Sequence, residues 1–134
     1  MGVSAATILL SGACRWRTAD VYEIPEDFRG WIRIDYSVPQ CPELEVSEGR
    51  RIIRIPDDGR LCTSSDLEVG VAVDEFFLVG ETRAKVLEVG EPRDRLIWGW
   101  SNGTERIPGE PDKVFVSFFV GTEQQFEERA AERP

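Results

Sequence analysis

Tyr22-Glu23-Ile24-Pro25-Glu26-Asp27-Phe28-Arg29-Gly30-Trp31-Ile32-Arg33-Ile34-Asp35-Tyr36 reads as a strand, a corner and a second strand. From Trp31 to Tyr36 apolar and charged side chains alternate, the period of a strand with one buried face. Proline has no N–H for a ladder, so Pro25 ends the first run, and the acidic pair with Gly30 supplies turn chemistry. The arrangement recurs at Ile55-Pro56-Asp57-Asp58-Gly59 and, more loosely, at Ile107-Pro108-Gly109. Each instance predicts a strand end, a turn and a return strand.

Working outward, Arg50 to Ile55 gives another run. Leu67 to Val79 holds one long run or two broken near Gly70. Further runs follow at Ala84 to Val89, Leu96 to Trp100 and Val114 to Val120. Asn102-Gly103 predicts the turn between the last two strands. No strand–helix alternation is present, which disfavours a doubly wound fold. The pattern predicts an all-β domain over residues 20–121, an antiparallel two-sheet sandwich with a small barrel as the alternative. Thr122 and Gln125 have capping-box spacing, so residues 122–134 form a short C-terminal helix or an acidic tail.

The segment Ile24-Pro25-Glu26-Asp27-Phe28-Arg29-Gly30-Trp31, with Ile55-Pro56-Asp57-Asp58-Gly59 after it, resembles a family of small bacterial domains of unknown function, number 6843. The resemblance is clear over residues 20–65. It implies a compact β domain, often behind an export or lipoprotein signal, and lends no catalytic residues.

Val3 to Ala13 is apolar or small, no charged residue precedes Arg15, and Cys14 follows. The stretch is shorter than the about 20 residues a membrane-spanning helix needs, but it suits the apolar region of an export signal. Ser11 and Ala13 occupy the small-residue positions before a cleavage site. The same residues resemble a lipoprotein box, which makes Cys14 the lipidation candidate and offers membrane attachment. Residues 1–14 are therefore read as a signal or lipoprotein segment. Two features depart from that pattern: no Lys or Arg precedes the apolar run, and Leu10 stands one residue early. A start codon upstream of Met1 would account for the first. The expected location is extracytoplasmic, secreted or lipid-anchored; the alternative is a cytoplasmic module in which Met1 is the true start.

The other cysteines, Cys41 and Cys62, each border an expected strand end. A disulfide between them would close a loop of about 20 residues, worth roughly 3 kcal/mol in the chain-entropy model, and would persist in an oxidising compartment. The alternative is two unpaired thiols.

The 134 residues carry a formal net charge of −9 and no histidine. Phosphate binding relies on clustered Lys and Arg, so nucleic acid is not an expected partner. Without imidazole, His-based triads and His-metal sites are absent, and no cofactor is called for. Ser64-Ser65-Asp66 offers hydroxyls without an evident base, and Asp57-Asp58 has too few alternating oxygens for calcium. Carboxylates are plentiful, so the alternative to a non-catalytic module is a small hydrolase using a carboxylate pair. The candidate binding aromatics are Trp31, Trp98 and Trp100, for a protein or glycan partner. Trp98 and Trp100 flank Gly99, which in a regular strand sets both on one face. That face is expected to be the inner one, packed against Phe115 and Val86. Phe76, Phe115 and Phe119 are expected in the core, with Phe77 and Phe118 on the opposite faces. Those faces must then be covered or form an interaction patch.

Overall fold

The corner at Pro25 sends the chain from one sheet to another, and this decides the architecture. The computed structural model describes residues 16–134; the segment expected to be a signal or lipoprotein segment, residues 1–14 with Cys14, lies outside the described residues. Strand β1 (Asp20–Pro25) belongs to one sheet and β2 (Gly30–Tyr36) to the other. The chain returns through β3 (Glu45–Ser47) and β4 (Arg50–Arg54), then turns the second corner into β5 (Arg60–Cys62). Next come β6 (Glu75–Val79), β7 (Arg83–Val86), β8 (Ile97–Glu105), β9 (Lys113–Val120) and α1 (Glu123–Arg129). The first sheet has the order β3-β4-β1-β6-β7 and the second β5-β2-β9-β8. Two layers packed face to face make a sandwich-like β fold with a short C-terminal helix.

Both sheets are mixed rather than purely antiparallel: β1 runs parallel to β4 and β6, and β2 parallel to β5. The repeated corner is the reason. β1-corner-β2 and β4-corner-β5 are two copies of one device laid side by side, so equivalent strands point the same way. In each turn an N–H bonds back to the proline carbonyl, Phe28 to Pro25 and Gly59 to Pro56, both at 2.9 Å. The copies lock together. Gly59 has φ +76°, and a Cβ there would stand 2.6 Å from the Phe28 ring and 2.7 Å from the Trp31 carbonyl. Only glycine admits that approach. The Ile-Pro motifs are thus corner chemistry.

Alternation fills the space between the sheets with Tyr22, Ile24, Ile32, Ile34, Tyr36, Ile53, Phe76, Ile97, Val116, Phe118 and Val120. Tyr22 stacks on Phe76 at 4.6 Å, and Phe118 meets both rings edge-on. Each such pair adds about 0.5–1.5 kcal/mol beyond its buried area.

Phe118, not Phe115 or Phe119, is the β9 phenylalanine that enters this core. The outer faces are covered instead. Arg33 lies 3.9 Å over the Phe115 ring and Arg83 4.1 Å over Phe77. Phe119 is sealed beneath α1, where Phe126 meets Trp31, Trp98 and Phe119 at centroid distances of 5.8–5.9 Å. Thr122 and Gln125 form the capping box that starts this helix.

Two local expectations need correction. Asn102-Gly103 lies inside β8, opposite Val116 and Phe115, and the connection to β9 passes through Ile107-Pro108-Gly109. Gly103 is needed for packing, since a Cβ there would sit 2.8 Å from the Phe115 ring. The run Leu67 to Val79 forms a strand only from Glu75, and residues 67–70 instead line a cleft.

Candidate functional site: a cleft beside Trp100

The tryptophan pair parts at Gly99. Gly99 takes φ +61°, and the β8–β9 register shifts between Trp98 and Ser101. This bulge breaks the two-residue alternation, so Trp98 and Trp100 point to opposite faces rather than sharing the inner one. Trp98 turns outward and is buried under α1, its indole N–H donating to the Gly121 carbonyl at 2.8 Å. It packs on Phe126, not on Phe115 or Val86 as expected. Trp31 joins it there and donates to the Arg129 carbonyl at 2.7 Å. Both rings are thereby committed to holding the helix. Trp100 turns the other way and remains 40% exposed.

Trp100 and Asn102 wall a cleft of about 350 Å³ where β8 meets one end of the first sheet. Arg17 and Asp20 come from the start of β1, Asp74 from the approach to β6, Glu88 from beyond β7, and residues 67–70 close the rim. An ion-pair network floors it. Arg17 donates to Asp74 through both terminal nitrogens, and the Asp20 N–H donates to the same carboxylate at 2.9 Å. Arg51 donates from Nε to Asp20 Oδ1 at 2.8 Å and also to the Asp66 carbonyl. Arg51 and Asp20 are both buried, in a pair whose desolvation is offset only while both partners remain. Burial raises the Asp20 carboxyl above its ordinary range, and the Arg51 hydrogen bond pulls it back.

Glu88 differs. Among the described residues no ion pair holds it, and burial, reinforced by the Asp74 charge, lifts its carboxyl above the usual glutamate value. Behind the network the Tyr36 hydroxyl is buried with no hydrogen-bond partner among the described residues, and burial pushes both Tyr22 and Tyr36 upward.

Elsewhere the candidate residues are structural. Cys41 and Cys62 are joined, with Cα atoms 5.8 Å apart. Ser65 Oγ accepts from the Leu44 N–H, and Ser37 donates to Asp66 at 2.6 Å, so the Ser64-Ser65-Asp66 segment ties down a loop. Among the described residues no group of three or more His, Cys, Asp or Glu is placed to hold a metal ion. No described helix is long and apolar enough to cross a membrane.

The corner geometry and the motifs that build it coincide with a family match. Residues 16–125 fit the model of a family of unknown function, DUF6843. The chain belongs to that family. No curated protein matches it. A solved structure described as "Putative Lipoprotein from Bacillus anthracis" superposes with a TM-score of 0.65 at 24% identity, covering 81% of this chain and 76% of that one. At that identity the likeness shows a shared fold. The DUF6843 match ends at Gln125, ahead of Phe126 and most of α1.

Sequence reasoning found Trp100 but not its neighbours. Arg17, Asp20, Asp74 and Glu88 come from separate segments, and nothing local marks their convergence. Gly99 was the available signal, since an isolated glycine inside a strand often marks a bulge.

Proposed function

We propose that this DUF6843 protein is an exported, envelope-anchored β domain that binds a glycan without catalysing a reaction on it, using the cleft beside Trp100. The observation that carries the reading is the half-exposed Trp100 indole set against hydrogen-bonding groups of Asn102, Glu68 and Glu88. An aromatic face offers stacking area to the C–H face of a sugar ring, and the surrounding amide and carboxylates can meet its hydroxyls. Envelope attachment is supported by the export-like segment ending at Cys14, by a disulfide of the kind that persists outside the cytosol, and by the lipoprotein description carried by the Bacillus anthracis structure. A hydrolase reading would ask for two free carboxyls facing each other. Asp20, Asp74 and Glu68 are all engaged by arginine, so among the described residues Glu88 is the one cleft carboxyl outside an ion pair.

Retention on an array of hexose and N-acetylhexosamine oligomers tests the proposal. The parent chain is expected to be retained and Trp100→Ala to lose retention while melting like the parent. Unchanged retention in Trp100→Ala would place the binding elsewhere.

A further inference from the structure

The largest exposed apolar side chains are concentrated around the point where the described chain begins. Trp16 is 74% exposed and Val73 75%, with Val69 and Val71 also exposed on the segment leading into β6. The Trp16–Val71 bridge sets these two residues opposite each other, and the Arg17 N–H donates to the Val71 carbonyl at 3.1 Å. Residues paired in a bridge lie side by side, and exposure alternates onward from Val71, with Val73 exposed between the less exposed Ala72 and Asp74. Leu87 and Val89, beyond β7, are exposed as well. Such a rim on a small domain marks an interaction surface.

We infer that this rim rests on the bilayer surface, with Trp16 at the level of the lipid headgroups. The inference builds on the proposal that Cys14 carries the lipid anchor. One residue, Arg15, separates Cys14 from Trp16. Two residue steps span at most about 7 Å, so an acylated Cys14 holds Trp16 and its neighbours within the headgroup layer. The surface that such a short tether presses against lipid is apolar, and tryptophan favours the membrane–water boundary. With a net charge of −9, attraction to anionic lipid cannot supply the contact, so apolar burial carries it and added salt should not release it. Val69 belongs to both rim and cleft, so the cleft mouth opens beside the membrane.

The test couples the full chain through Cys14 to maleimide-bearing phosphatidylcholine vesicles, with or without brominated acyl chains, and reads tryptophan emission. This attachment is chemical, so the outcome does not depend on whether a cell lipidates Cys14. Lower emission in brominated vesicles is expected for the parent, at low and high salt alike, with most of the difference lost in Trp16→Phe and Val73→Asp. Trp100→Ala should lose glycan retention yet keep the quenching difference, which separates the two proposals. Both rim side chains are exposed, and circular dichroism melts verify that the variants fold. Equal emission in the two vesicle types would overturn the inference, as would a quenching difference unaffected by Val73→Asp. A lipid-free dimer that Val73→Asp dissolves would also overturn it, because the rim would then be a protein contact.

Discussion

One glycine separates a structural tryptophan from a functional candidate. Because Gly99 bulges, Trp98 packs under the helix and Trp100 faces the cleft. Trp98→Ala should cost about 3–5 kcal/mol, as truncation of a large buried aromatic does. Trp100→Ala should shift the denaturant midpoint little, and urea titration of the two variants side by side measures the contrast. The Asp20–Arg51 pair makes a second prediction. Arg51→Met leaves the buried Asp20 carboxylate with only the longer Arg17 contact at 3.7 Å and should cost about 3 kcal/mol, much of it recovered in the double variant with Asp20→Asn. A chemical-denaturation cycle over the four proteins reads this directly. Glu88 makes a third. Its carboxyl is raised in the folded protein, so the native state binds the proton more tightly than the unfolded chain. The stability this contributes is present below the unfolded glutamate value and is lost as pH rises through the folded one. Urea midpoints followed upward from about pH 4 should fall more steeply in the parent than in Glu88→Gln. At this scale the sequence marked Trp100 and the two cysteines but not the charged floor of the cleft, because pairing across more than fifty residues leaves no local trace.

The elements owe their arrangement to the corners and the helix. Period-two alternation identified β2, a run of apolar residues identified β9, and the Ile-Pro turns located both corners. Where each return strand would go was not legible. A proline turn ends a strand without stating whether its successor pairs beside it or crosses to another sheet. This is why an antiparallel pattern was expected and mixed sheets are found. Asn102-Gly103 misled for a related reason, since a glycine beneath an aromatic ring and a glycine in a turn look alike in one sequence. The helix was legible through its capping box, but its task was not. Phe126 completes the cover over Trp31, Trp98 and Phe119, so Phe126→Ala should destabilise by about 2 kcal/mol. Thr122→Ala, which removes the cap alone, should cost about 1 kcal/mol. Thermal melts of the two variants distinguish these effects, and a Phe126→Ala protein as stable as the parent would mean that α1 only rests on the sheet.

For the molecule as a whole, the sandwich, the disulfide and the apolar rim bear on one question: where the protein works. The disulfide ties the loop after β2 to β5 at the edge of the second sheet. Replacing both cysteines by serine should lower stability by about 3 kcal/mol, and reduction of the parent should have a similar effect. Net charge and the absence of histidine narrowed the chemistry from composition alone. The expected location was read from the segment ending at Cys14 and the even pair of cysteines after it. The account stands or falls on the anchor, because both the membrane-facing rim and the siting of the cleft depend on it. The most direct measurement is the intact mass, N-terminus and thiol state of the native protein recovered from fractionated cells. The account predicts a membrane-fraction protein that begins at Cys14, carries the added mass of acyl chains and has Cys41 and Cys62 joined. A soluble chain that retains its residues before Cys14, without added lipid and with free thiols, would contradict it.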